Sequence, residues 1–184
     1  MKREQISADR PYLVLHEAEP DGQGGQVDTT TVFLTASSCP IGCTMCDLHH
    51  NTLPTATPSG AITRQIDIAL QDSKASWLKL YNSGNFFDPR SIPPADHSEI
   101  AKRCNRFDRV IVENHPRFGK HKLQPFLELL DCQFEVAVGL ETVQPRWLSR
   151  LGKQMTRDDF SRYSTELASL GVDLRVFLIL GVPG

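Results

Sequence analysis

The sequence lacks several features that would place the protein in a specialised class. No apolar run approaches the roughly 20 residues that cross a bilayer, and Met1 to Gln5 lack the apolar stretch of a signal peptide. With 20 Lys and Arg against 22 Asp and Glu, the net charge of -2 gives no overall field that attracts nucleic acid or an anionic membrane. We therefore expect a cytoplasmic protein without a membrane partner.

A disulfide framework is also missing. The 184 residues contain five cysteines, an odd number, and three of them fall between positions 39 and 46. This crowding is typical of thiolate metal ligation in a reducing compartment. The rest of the composition, 40% hydrophobic and 23% charged, is that of an ordinary globular domain with a substantial core.

The pattern along the chain predicts an α/β fold. Residues 1–30 are polar and contain a glycine-rich run, so we interpret them as an N-terminal extension. After them, β-branched apolar runs alternate with stretches of helical periodicity. The predicted strands are 31–35, 77–81, 109–113, 134–138 and 174–180, and the predicted helices are 61–71, 97–106, 125–130 and 157–170. Such alternation predicts a parallel sheet, either a partial barrel or doubly wound, with its chemistry at the strands' carboxyl ends.

Cys39, Cys43 and Cys46 follow the first of these strands with the spacing C-x3-C-x2-C. Three thiolates bound to a four-iron cubane leave one iron with an open position that a chelating ligand can occupy. The alternative is a zinc-stabilised binding module without redox chemistry, with His49 or His50 as the fourth ligand. A doubly wound nucleotide binder would instead carry a glycine-rich phosphate loop at this place.

The cysteine motif resembles that of the radical S-adenosylmethionine (SAM) superfamily, C-x3-C-x-Φ-C, with Met45 at the Φ position. The resemblance covers about residues 31–184 and implies a radical SAM core, a partial TIM-like (βα) barrel. Five of its six core strands are recognisable, so we expect a chain truncated at the C-terminus. The resemblance also implies a 4Fe-4S cluster on the three cysteines and reductive cleavage of SAM to a 5′-deoxyadenosyl radical. An electron donor such as flavodoxin or ferredoxin would then be a partner.

Two segments at later strand ends resemble SAM-binding segments of this superfamily. Ser83, Gly84 and Asn85 lie where the family carries a small-Gly-acidic segment that meets the amino group of SAM, with Asn85 in place of the commoner Glu. Residues 139–142, Gly-Leu-Glu-Thr, resemble a segment of the branch that contains the Elongator catalytic subunit and coproporphyrinogen dehydrogenase. This match implies that Glu141 faces SAM. A turn and a helix-preceding carboxylate explain the same residues without a ligand.

Lys153 matches the basic residue that this branch places against the SAM carboxylate, with Arg150 as a substitute. Val182 lies in a segment that resembles an adenine contact. A solvated lysine and a Gly-Pro turn are the corresponding structural explanations. Residues 113–115, Glu-Asn-His, close a strand and are a further candidate for the pocket wall, although Pro116 also explains them as a strand end.

A combination of short segments also resembles the archaeosine-forming radical SAM enzyme of tRNA modification, namely residues 43–46, 112–113 and 138–142 and Lys153 followed by residues 156–160. This makes tRNA an optional partner. The net charge of -2 and the lack of a stripe of Arg and Lys with interleaved aromatics do not favour binding to a phosphate backbone. The sequence therefore leaves the substrate open.

Overall fold

The computed structural model describes residues 6–181, which form six strands and five α-helices. In chain order these are β1 (Leu13–Pro20), β2 (Gln26–Phe33), α1 (Ala61–Ala69), β3 (Trp77–Tyr81), α2 (His97–Cys104), β4 (Arg109–Glu113), α3 (Lys120–Leu127), β5 (Gln133–Glu141), α4 (Pro145–Arg150), α5 (Arg157–Ser169) and β6 (Asp173–Leu178). Single turns of 3-10 helix lie at Leu48–Asn51 and Pro94–Asp96. Over the described range, none of the helices has the length and apolarity that a bilayer crossing requires.

One six-stranded sheet with the order β1-β2-β3-β4-β5-β6 organises the fold. β1 pairs with β2 in the antiparallel sense, whereas the four following pairs are all parallel. Each parallel connection contains a helical crossover, as parallel pairing requires. The carboxyl ends of β2 to β6 consequently meet at one edge of the sheet, and the loops that follow them are neighbours.

The hydrophobic core lies between the helices and one face of the sheet. Alternate strand residues such as Leu80, Val112 and Val136 are fully buried there, together with Ile66 of α1 and Phe126 of α3. Side chains alternate between the two faces of a strand, so their odd-numbered neighbours point to the opposite face. The helices therefore cover one side of the sheet.

The opposite face carries charged side chains that pair across strands. Lys79 on β3 pairs with Glu17 and Glu19 on β1, and Arg175 on β6 pairs with Glu135 on β5. Arg175 Nη1 also lies 3.0 Å from Glu19 Oε2, although β6 and β1 are the two outermost strands. The sheet is therefore strongly curved, with this face concave. Among the described strands it is not closed, because β1 and β6 are not hydrogen-bonded neighbours.

The structure corrects the predicted N-terminal extension over residues 1–30, since from Leu13 onward this segment belongs to the sheet. Its glycines form a tight hairpin turn in place of a flexible linker. Asp21 Oδ1 accepts a hydrogen bond from Gly25 N at 2.9 Å, and Gly24 takes a φ of 95° that favours glycine. The strands are polar because their inner-facing side chains pair with charges on the concave face, which sequence periodicity does not reveal.

The five predicted strands and four predicted helices are all present, with shifts at their ends. α3 begins at Lys120 and contains Pro125, whereas the sequence predicts a helix that begins at Pro125. α4 was not predicted, because six residues with Pro145 in the first turn are too few to show helical periodicity. The confirmed part of the predicted fold is a mixed α/β structure with a sheet that is parallel apart from β1.

A capping box starts α5, the helix that follows Lys153. Thr156 Oγ1 accepts a hydrogen bond from Asp159 N at 3.1 Å, and Asp159 Oδ2 accepts one from Thr156 N at 2.9 Å. We expect Thr156→Ala to lower the free energy of unfolding by about 1 kcal/mol, because the backbone N–H of Asp159 loses its acceptor. Urea denaturation measures the change. The control is Thr165→Ala on the exposed side of the same helix, and an equal loss in both variants would contradict a capping role.

Candidate functional site

A pocket of about 330 Å³ lies where the carboxyl ends of the parallel strands meet. Loops after β2, β3, β4 and β5 contribute to its wall. All the predicted site residues within the described range line it, namely Cys39, Cys43, Met45, Cys46, Ser83, Gly84, Asn85, Glu141 and Lys153. Val182 lies outside the described residues. Tertiary structure thus brings together side chains that are more than one hundred positions apart in the sequence.

The cysteine loop is held in place at both ends. At its base, Ser37 and Leu53 form a parallel β-bridge. At its tip, Thr44 N donates a hydrogen bond to Leu151 O at 2.9 Å, and Gln154 Nε2 donates one to Ile41 O at 2.7 Å. The three thiols of the loop are free and partly buried. The segment that carries Lys153 is therefore packed directly on the loop that carries the thiols.

The three thiols line one pocket, and cysteine thiolates are ligands of both iron–sulfur clusters and zinc. Within residues 6–181, no three side chains of His, Cys, Asp or Glu converge closely enough to hold one metal ion. Zinc requires its donors around one point, whereas in a cubane each thiolate binds a different iron and the sulfurs are further apart. The two candidate zinc ligands, His49 and His50, are not among the groups that line the pocket, and His49 Nδ1 lies 3.2 Å from Cys46 O.

At two glycines, the backbone lies very close to side chains that line the pocket. A Cβ at Gly84 would lie 3.4 Å from Cys39 Cβ, so the turn after β3 packs tightly on the first cysteine. A Cβ at Gly139 would lie 2.5 Å from Glu141 Oε1 and 3.2 Å from Lys153 Nζ. The first of these distances is shorter than real Cβ contacts allow. A side chain at position 139 would therefore displace the Glu141 carboxylate.

Unusual backbone conformations concentrate around the pocket. Among the described residues, the non-glycine positions with positive φ are Ser83 (54°), Glu141 (66°) and Gln154 (48°). Two of them line the pocket and the third follows Lys153. Each such conformation costs about 1–2 kcal/mol and persists only where the surrounding structure enforces it. Glu141 lies at a shift in the register between β5 and β6, and its Oε1 is 3.3 Å from Lys153 Nζ.

Asn85 and His115 connect the first cysteine to Lys153 by hydrogen bonds. Asn85 Nδ2 donates to Cys39 Sγ at 3.2 Å, and Asn85 Oδ1 accepts from His115 N at 2.8 Å. Arg117 N donates to His115 Nδ1 at 3.1 Å, so the ring proton is on Nε2, which donates to Lys153 O at 2.8 Å. The sequence marks residues 113–115 as a strand end and a candidate for the pocket wall, but these hydrogen bonds have no local signal in it.

Glu113 supports the turn that carries Ser83 and Gly84. Its carboxylate accepts a hydrogen bond from Asn82 N at 3.2 Å, and the N–H groups of Ser83 and Gly84 also point to it. Burial raises the pKa of Glu113 to about 7, with these backbone hydrogen bonds acting in the opposite direction. In the sequence, Glu113 is recognisable only as an acidic residue at the end of an apolar strand. The carboxylate anchors the turn from the neighbouring strand.

The buried ring of His115 predicts a loss of stability in acid. Burial lowers the pKa of His115 from 6.5 to about 4, so below pH 6.5 the unfolded chain binds a proton that the folded chain does not. The contribution of His115 to stability should therefore fall as the pH drops from 6.5 towards 4, whereas the raised pKa of Glu113 acts in the opposite direction. We expect His115→Gln to remove about 2 kcal/mol of the difference in unfolding free energy between about pH 7.5 and about pH 5.

Denaturant titrations at the two pH values provide this measurement. The control is His121→Gln on α3, because the side chain of His121 is exposed. An acid-side slope that is the same in His115→Gln as in the unchanged protein would show that this ring does not cause it.

No family model matches the sequence. The chain is 24% identical to an uncharacterized protein of Methanocaldococcus jannaschii over 76% of its own length, and it spans 41% of that relative. Its structure is similar to that of a queuine lyase from Clostridium spiroforme bound to SAM and queuine. The TM-score is 0.61 at 18% sequence identity, with 92% of this chain and 82% of the lyase chain covered. The chain therefore shares its fold with a protein that has been seen with SAM bound.

Proposed function

We propose that the protein is a radical SAM enzyme that cleaves SAM reductively at a 4Fe-4S cluster held by Cys39, Cys43 and Cys46. The observation that carries this proposal is one pocket lined by three free thiols at the carboxyl ends of parallel strands. The C-x3-C-x2-C spacing and the shared fold with a SAM-bound queuine lyase support it independently. The cluster, when bound, supplies the electron that splits SAM.

The curvature of the sheet supports the finer proposal of a partial barrel. Side chains from β1 and β6 meet across the concave face through Glu19 and Arg175, which a flat sheet would keep far apart. Tyr81 on β3 and Phe177 on β6 likewise approach to 6.3 Å between ring centroids. Side chains fill the interior of such a barrel. The space for a ligand therefore lies at the carboxyl ends of the strands.

The residues beside the thiols have the chemistry to bind an amino acid moiety. Lys153 Nζ would face the carboxylate of SAM and Glu141 its ammonium or ribose hydroxyls, while backbone carbonyls of residues 83–85 accept from the ammonium. Lys153 is 7% exposed and Glu141 13%, so both charges act in a pocket with little water. Met45, which is 41% exposed, would cover one side of the cluster.

An electron donor has access to the cysteine loop from outside. The loop carries Met45 and Leu48, which are 41% and 39% exposed, at its surface. A small redox protein such as flavodoxin or ferredoxin could dock over this apolar rim and reduce the cluster. This redox partner is proposed for the whole protein, because the chain spans only 41% of the length of its M. jannaschii relative.

Anaerobic reconstitution with iron and sulfide tests the proposed function. We expect a brown protein with the absorption of a 4Fe-4S cluster, and an electron paramagnetic resonance spectrum of the reduced form that changes when SAM is added. The product analysis should show 5′-deoxyadenosine after reduction. Tight stoichiometric zinc, together with no spectral response to SAM, would support the zinc-stabilised binding module and contradict the enzyme.

A further inference from the structure

We propose that Asn85 is a positioning residue that raises the reduction potential of the cluster through the sulfur of Cys39. This inference rests on the proposed function and adds a role for one residue within the same site. The Asn85 side chain is 1% exposed, and its Nδ2 donates a hydrogen bond to Cys39 Sγ at 3.2 Å. Lys153 belongs to the same pocket but makes its side-chain contact with Glu141.

The orientation of this amide is fixed by its second partner. Asn85 Oδ1 accepts from the backbone N–H of His115 at 2.8 Å, and a backbone N–H can only donate. The oxygen must therefore face His115, which leaves the NH2 group to face the sulfur. The His115 ring is in turn held between Arg117 N and Lys153 O. The donor thus stays directed at Cys39 without help from a ligand.

A donor at this position favours the reduced state of a cluster. Reduction places additional negative charge on the cluster and its thiolates, and hydrogen bonds to the sulfurs are one of the determinants of the potential. A neutral amide that donates to the sulfur stabilises this charge. A carboxylate at the same place would carry a negative charge and could not donate when ionised. An amide at position 85 therefore favours the reduced cluster, whereas an acidic side chain there would not.

The experiment compares midpoint potentials of reconstituted protein, measured by redox titration with detection by electron paramagnetic resonance. Asn85→Asp keeps the shape but removes the donor and adds charge. We expect its equilibrium constant for reduction to fall about tenfold, which is about 59 mV for one electron. Asn85→Ala should shift the potential in the same direction by a smaller amount. The control is Asn51→Asp, which adds the same charge to the end of the cysteine loop without a hydrogen bond to a described cysteine sulfur.

The possible outcomes distinguish a failure of the inference about Asn85 from a failure of the proposed function. Lower potentials in both Asn85 variants, with the control near the unchanged protein, support the inference. Equal potentials in all four proteins overturn it and leave the proposed function intact. If neither Asn85 variant assembles a cluster while the unchanged protein does, Asn85 acts in assembly and the inference is overturned as well. If the unchanged protein itself binds no cluster, the proposed function fails and the inference fails with it.

Discussion

Replacement of Cys39, Cys43 or Cys46 by serine is expected to reduce bound iron to background and SAM cleavage by about 100-fold or more. Each thiolate holds a different iron of the cluster, and an alcohol does not ionise at neutral pH to replace it. All three side chains line the same pocket, so the loss should be similar for each variant. Iron and sulfide analysis after anaerobic reconstitution, with 5′-deoxyadenosine as the product, provides the measurement.

Cys132→Ser is the matched control for these variants. Cys132 is a free, partly buried thiol directly before β5, and it does not belong to the pocket lining. This variant should retain both iron and activity. A cluster that survives the loss of any one of the three loop cysteines would show that the metal is held in another way.

Removal of the charge at Lys153 is expected to cost about 3 kcal/mol in the free energy of unfolding. Lys153 Nζ lies 3.3 Å from Glu141 Oε1, and the two side chains are 7% and 13% exposed. In Lys153→Met the Glu141 carboxylate would remain in the pocket without its cation. Removing only one partner of a buried ion pair is strongly destabilising because the other charge stays buried and uncompensated. Chemical denaturation measures this loss. SAM binding, followed by equilibrium dialysis, should weaken as well because the cation for its carboxylate is gone.

A double variant separates the two effects. Lys153→Met combined with Glu141→Gln should recover most of the stability, since no unpaired charge remains, but it should not recover SAM binding. Lys74→Met, at an exposed position, is the control and should change neither property. If the double variant is as unstable as Lys153→Met alone, the carboxylate is not the source of the loss.

Several elements could be predicted because local sequence and tertiary environment agree. β3 and β4 occupy 77–81 and 109–113 as predicted, since each is a short apolar run between turns. β1 could not be predicted in this way. Its Glu17 and Glu19 are stabilised by Lys79 and Arg175, which are at least 60 positions away. Such pairing has no local signature, and a polar strand therefore looked like a linker.

The residues of the candidate site could likewise be predicted only in part from the sequence. The spacing of Cys39, Cys43 and Cys46 pointed to a cluster because three thiolates in one short loop serve few other purposes. The structural roles of Asn85 and His115 did not follow from their identities. They depend on hydrogen bonds between the ends of neighbouring parallel strands, and these bonds connect residues 30 or more positions apart.

The sequence by itself determined the alternation of strands and helices, the three-thiol loop and the order of the segments that follow it. Periodicity and ligand spacing are local properties of a chain, and they are readable without a fold. Only the tertiary structure decided that the polar N-terminal segment joins the sheet, that the sheet curves until Glu19 meets Arg175, and that Asn85 directs its amide at Cys39. These contacts arise when the parallel crossovers bring all the strand ends to one edge, because pairing then joins groups that the sequence keeps apart.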